Sequence, residues 1–160
     1  FKEHYVEPIE AHNGPHVYIA VGNHDRGRPP YWYQPVFNYV KKREGGIEYT
    51  FNYGGVTFIC CGMYPKNIKW LKKQFKSCGT YVIFFHYNLT GPWSDWWTDK
   101  ENDAFYNAIA NHKILFIGVG HHHISNVSQT WRGFNVIVGS GSTMAIIGIK
   151  NLQLTLIKYQ

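Results

Sequence analysis

Asn23, His24 and Asp25 stand in three consecutive positions behind Gly22, and offer an amide oxygen, an imidazole and a carboxylate. Far downstream, Gly120 leads into His121, His122 and His123, and between the two clusters His86 stands by itself. Imidazoles mixed with oxygen donors suit zinc, iron or manganese and not calcium. Two histidines spaced as His121 and His123 can point both rings at one centre or at two adjacent ones. A single histidine after a strand is more often a hydrogen-bonded structural residue. Four of them at three strand ends (His24, His86, His121 and His123) favour a ligand role.

Short apolar runs read as the strands that must carry these residues. Val17–Val21 runs into the first cluster, Tyr81–Phe85 ends at His86, and Ile114–Val119 ends at the triple histidine. Open α/β sheets put their sites at the carboxyl ends of such strands. Ile47–Tyr53 and Val56–Cys61 flank Gly54-Gly55, a hairpin signal. Phe134–Val138, Met144–Ile149 and Leu152–Tyr159 read as closing strands. Two segments read as helices. Lys66–Lys76 sets Ile68, Leu71 and Phe75 on one stripe opposite its lysines. Thr98–Asn111 opens with Thr98 and Glu101, a capping-box pattern. Arg26–Gln34, with two prolines and three aromatics, reads as a loop. The order predicts an α/β fold: a sheet in the middle of the chain and an antiparallel meander at its end. No internal repeat or domain boundary divides the chain, so residues 1–160 read as a single domain.

Composition narrows the functional classes. The 160 residues are 44% hydrophobic and 18% aromatic, a globular balance with enough chain for one core. No apolar run is long enough to span a bilayer as a helix, so no transmembrane segment is expected. The formal charge is +6, with lysines gathered at Lys41-Lys42-Arg43 and at Lys66, Lys69, Lys72, Lys73 and Lys76. A solvated helix face is the preferred reading over an anionic partner. No pattern for specific nucleic-acid binding accompanies the lysines. Cys60, Cys61 and Cys78 fit no zinc ribbon or redox pair, and read as buried small hydrophobes. Asn88-Leu89-Thr90 and Asn126-Val127-Ser128 are glycosylation triplets and point weakly to a secretory location. The start at Phe1, without an initiator Met, is expected to be the interior of a longer product.

Taken in order, Gly22-Asn23-His24-Asp25, His86 and Gly120-His121-His122-His123 resemble the last three motifs of the calcineurin-like metallophosphoesterase superfamily. That family's pattern reads Asp-x-His, Gly-Asp-x-x-Asp, Gly-Asn-His-Asp/Glu, His, Gly-His-x-His. The segment Gly91-Pro92-Trp93-Ser94-Asp95-Trp96-Trp97 also resembles a run found in some members after the lone histidine. The resemblance implies the C-terminal portion of a four-layer αββα sandwich, with mixed sheets flanked by helices. It implies two divalent or trivalent metal ions, of iron, manganese or zinc. Asn23, His86 and His121 would ligate the second ion and His123 the first. It implies hydrolysis of a phosphomonoester or phosphodiester by a hydroxide activated between the two ions. His24 would stabilise the transition state and protonate the leaving oxygen, since imidazoles exchange protons near neutral pH. Asp25 would support His24. Arg26, His122 and Trp93 are candidates for the walls of the substrate cleft. Trp96 and Trp97 would either join that wall or pack against the helix at 98–111.

The chain departs from the pattern in one respect. Neither Asp-x-His nor Gly-Asp-x-x-Asp precedes Gly22, where the acidic residues are Glu3, Glu7 and Glu10. The remaining ligands are neutral, and without a bridging carboxylate they should hold an ion weakly. Three origins are open: a C-terminal piece of an intact enzyme, one half of a split enzyme whose partner chain carries the aspartates, or a non-catalytic subunit with a structural or binding role in a larger assembly. The chain by itself is expected to be inactive, and to leave a sheet edge for the missing half to cover.

Overall fold

The computed structural model describes residues 2–11, 13–26, 34–91, 94, 97–123, 127–139, 145–151 and 153–159. Its helices are α1 (Glu7–Glu10), α2 (Gln34–Glu44), α3 (Ile68–Gln74) and α4 (Asp99–Ile109). Its strands are β1 (Glu48–Tyr53), β2 (Val56–Cys61), β3 (Thr80–Phe84), β4 (Lys113–Val119), β5 (Val127–Trp131), β6 (Phe134–Val138), β7 (Ala145–Lys150) and β8 (Gln153–Tyr159).

Gly54 and Gly55 sit at φ 57° and 78°. That doubly left-handed backbone lets a two-residue turn follow the twist of β1 and β2. From β2 the chain crosses through α3 to β3, then through α4 to β4, and each crossover restores the strand direction. So β2, β3 and β4 lie parallel. β6 adds beside β4 in the same direction, and β5 closes the edge antiparallel to β6. The result is a six-stranded mixed sheet in the order β1-β2-β3-β4-β6-β5. The architecture is α/β, as the pattern of elements predicts.

Strand alternation sorts the core into two faces. One face carries Ile59, Ile83, Ile117 and Val136, all fully buried beneath Leu71 of α3 and Phe105 and Ile109 of α4. The Thr98 side chain caps α4 by accepting from the Glu101 backbone, and Glu101 reaches back to the Thr98 backbone, the reciprocal box that satisfies two orphan donors. Trp97, just before it, is buried against Phe85 and Phe105, so this tryptophan serves the core. On the opposite face Val21, Val36, Val40, Tyr49 and Cys60 form one cluster, with Val56, Val82, Phe116 and Ile137 in another that Ile149 of β7 packs against.

Several expectations are corrected. Val17–Val21 forms no strand and does not join the sheet's ladder. Its polar backbone is met by side chains instead. The Tyr49 hydroxyl accepts from Ile19 N at 2.8 Å and donates to Ile19 O at 3.0 Å, and Glu10 accepts from Val17 N at 2.7 Å. The closing strands do not form one meander, because β6 belongs to the large sheet while β7 and β8 pair separately. The lysine-bearing helix is shorter than expected, Ile68–Gln74, capped by Asn67. α2 begins at Gln34, where a loop was expected to end, and residues 27–33 of that loop lie outside the described residues. Cys60 and Cys61 are buried, but Cys78 is exposed. Arg43 is not part of a solvated basic face: it pairs with Glu10 and Glu44, tying α1 to α2. The other clustered lysines do lie on the surface. No described helix is long and apolar enough to cross a membrane.

Candidate functional site

The site is built outward from His86, one residue past the end of β3 plus Phe85. Its backbone stays in the sheet's register although the strand has ended. Phe85 N donates to Gly118 O at 3.0 Å, Gly120 N donates to His86 O at 2.9 Å, and His86 N donates to Gly62 O and Met63 O at 3.2 and 3.1 Å. His86 is thus tied on one side to the segment after β2 and on the other to the end of β4. The chain then bends at His121, whose φ of 68° is uncommon for a residue with a side chain. The bend brings His121 Nδ1 to 2.9 Å from His86 Nε2.

The third side of the site comes from residues 22–25. Gly22 lies flat against the His86 ring: a Cβ there would sit 2.8 Å from Cε1 and 2.9 Å from Nδ1. Only glycine permits that approach. Asp25 closes a turn by accepting from Gly22 N at 2.8 Å through Oδ2, while its own N donates to Gly22 O at 3.2 Å. The turn leaves Asn23 Oδ1 at 2.8 Å from His86 Nε2.

Asn23, His86 and His121 therefore converge on one point, and His86 Nε2 is at its centre. That nitrogen carries one hydrogen or one lone pair, and one hydrogen cannot lie along both contacts. Contacts of 2.8 and 2.9 Å between donor atoms are of the size that a cation with bonds of about 2.1 Å would draw around itself. Burial pushes the His86 pKa down to about 4, and the neighbouring His121, His123 and His24 push it the same way. Burial also lowers that of His121, again with help from His123, His24 and His122. Both rings are thus kept neutral near pH 7, the form that offers a lone pair to a metal.

His24 and His123 are exposed, close enough for their charge to be felt at the part-buried rings of His86 and His121. His122 is half-buried, and its Nε2 is buried without a hydrogen-bond partner. The Asp25 carboxylate is engaged with Gly22 N, which makes it a brace for the turn. Arg26 ends the short helical turn His24–Arg26, and its side chain lies outside the described residues. Trp93 and Trp96 also lie outside them. Among the described residues, no group of three or more His, Cys, Asp or Glu side chains is arranged to hold a metal ion. The convergent trio meets no such test, since its third member is an amide, and no carboxylate joins it. Asn88 is buried, with its Oδ1 accepting from Leu89 N and from Gln129, so the side chain of this glycosylation triplet is sealed in the fold. Asn126 lies outside the described residues.

Two residues of the site escaped the sequence reading. Gly22 was legible only as the head of a motif, not as the floor under an imidazole. Tyr87, buried at 5% exposure, places its ring 5.2 Å from that of His86 and 4.9 Å from that of His121. Its position directly after His86 was the only available signal. No family model and no curated protein matches the chain.

Proposed function

We propose that this chain is the C-terminal part of a calcineurin-like metallophosphoesterase, a hydrolase of phosphoric monoesters or diesters. The observation that carries the reading is the meeting of Asn23 Oδ1 and His121 Nδ1 at His86 Nε2, 2.8 and 2.9 Å away. Three neutral donors from three chain segments, with both imidazoles lowered in basicity by partial burial, suit a cation. Asn23, His86 and His121 would hold one divalent ion, and His123, on the same loop as His121, would contribute to a second. The ions, when bound, would activate water and neutralise charge on the phosphoryl group.

The remaining steps belong to side chains. His24 follows Asn23 directly and is exposed, so it can reach a bound ester and give its proton to the leaving oxygen. Asp25, by holding Gly22 N, fixes the turn from which both Asn23 and His24 project. Gly22 lets the His86 ring approach the turn closely enough for Asn23 to meet it. Negative charge to hold two cations would come from aspartates on a preceding segment or a partner chain. With that half restored, the sheet face that carries β7 and β8 would become the inner layer of a four-layer αββα sandwich.

A non-catalytic subunit is the second reading, favoured by the lack of a carboxylate at the convergence point among the described residues. Metal analysis of the natural protein by mass spectrometry, with hydrolysis of p-nitrophenyl phosphate and its bis ester, separates the two. Two ions per protein and turnover abolished in His24→Ala support the enzyme. No bound ion and no turnover leave the subunit.

A further inference from the structure

The geometry points to Tyr87 as the positioning residue that holds the imidazoles of His86 and His121 in their convergent orientation. This inference rests on the reading of the site as a metal centre for its consequence, but not for its geometry.

Three rings meet in mutual contact. The His86 and His121 centroids are 4.8 Å apart at 72°, and Tyr87 closes the triangle at 5.2 Å from His86 and 4.9 Å from His121, the latter at 89°. The His86–His121 and Tyr87–His121 pairs are edge-to-face and the Tyr87–His86 pair is tilted at 53°, and aromatic pairs of this kind favour particular relative orientations of their rings. The backbone bonds of His86 and Gly120 place the chain, and the ring planes are set by side-chain contacts: those of His86 Nε2 with Asn23 and His121, and the packing of Tyr87 against both rings.

Tyr87 is itself held firmly. Its N donates to Met63 O at 2.9 Å, and its side chain is 5% exposed. The Tyr64 ring lies 5.8 Å away, and Tyr64 in turn packs 5.2 Å from Trp97 and donates from its hydroxyl to Glu101 Oε1 at 3.4 Å. Glu101 is the residue that closes the capping box of α4. A contiguous support therefore runs from the first turn of α4 through Tyr64 and Tyr87 to the two imidazoles. Groups that orient ligands without touching the ion commonly matter by 10–100-fold in metal affinity.

The test uses the full chain, with Tyr87→Phe and Tyr87→Leu compared with the parent. In the metal-free protein the imidazole NMR signals of His86 and His121 are read, each assigned by its disappearance in His86→Gln or His121→Gln. The parent and Tyr87→Phe should show two resolved signals displaced by ring currents. In Tyr87→Leu both should move toward the positions of exposed imidazoles. Titration with Co2+ should then show an affinity lower by about 10–100-fold in Tyr87→Leu and nearly unchanged in Tyr87→Phe. If Tyr87→Leu does not fold, Tyr87→Met, which keeps bulk without a flat face, carries the same comparison. Unmoved imidazole signals in the Leu or Met variant overturn the inference, and so does a loss in Tyr87→Phe as large as in Tyr87→Leu. A parent with ordered, ring-shifted imidazoles that takes up no Co2+ supports the positioning role and overturns the metal reading alone.

Discussion

The two sides of the candidate site are held by different physics. His86 and His121 extend from adjacent parallel strands, and the ladder continues past the strand ends through Phe85, His86 and Gly120. Asn23, His24 and Asp25 follow a segment that belongs to no sheet. That side has no ladder: Val21 is buried in the core, Glu10 meets Val17 N, the Tyr49 hydroxyl meets Ile19, the Asp25 carboxylate meets Gly22 N, and the bare Gly22 surface lies against the His86 ring. A ladder shares its load over many bonds, so losing one matters little. A segment held by side chains depends more on each of them. The difference teaches that the histidine side is the rigid half of the site, and the Asn23 side the half that responds to substitution and solvent.

Acid should have the largest effect, and it acts on the histidine side. Folding keeps His86 neutral, with a pKa near 4 against an ordinary imidazole value of about 6.5. Between those values the unfolded chain binds a proton that the folded chain does not. The stability from His86 is therefore fully present above about pH 6.5, falls as pH drops, and levels off below about pH 4, a total on the order of 3 kcal/mol. Urea unfolding of the metal-free protein at a series of pH values should show this slope, and His86→Gln should remove most of it, leaving the contribution of His121. A slope unchanged in His86→Gln would place the buried base elsewhere.

Gly22→Ala comes next. Its Cβ would collide with the His86 ring, and overpacking of this kind costs about 1–3 kcal/mol. Gly120→Ala is the matched change on the ladder side, where the nearest atom is His86 O at 3.5 Å, an ordinary contact. Thermal unfolding should show a clear loss in the first variant and a much smaller one in the second. Equal losses would erase the distinction between the halves.

Tyr49→Phe should be the mildest, at about 1 kcal/mol, since it deletes the hydroxyl that both donates to and accepts from Ile19. Amide hydrogen exchange supplies the finer reading: Ile19 and its neighbours should exchange faster while β3 and β4 keep their protection. Loss of protection across all of these would mean that this segment and the sheet open together.

Much of the frame was legible from pattern alone. The hairpin at Gly54-Gly55, the apolar runs of β3 and β4, and the capping box at Thr98 are local signals, and the structure carries all three. α2 was missed because Val36, Phe37, Tyr39 and Val40 are β-branched or aromatic, types with little intrinsic helix preference. Packing of Val36 and Val40 into the core offsets that. β5 was missed because Ser128, Gln129 and Thr130 show little apolar alternation. Its partner β6 carries the apolar side, with Val136, Ile137 and Val138 buried.

The sequence by itself determined which groups are available: one amide, one carboxylate beside it, and imidazoles at the ends of apolar runs, with a glycine ahead of each cluster. It suggested a strand at Val17–Val21, whose apolar residues have β preference, and the structure forms none there. Only the tertiary structure decided what that segment pairs with, since a backbone can meet its hydrogen bonds through a ladder or through side chains such as Tyr49. Tertiary packing alone also decided which groups meet. Asn23 and His86 are 63 positions apart, and nothing local sets the distance between them. That distance follows from the parallel order of β3 and β4, the packing of residues 17–21 against Tyr49 and the core, and the missing side chain of Gly22.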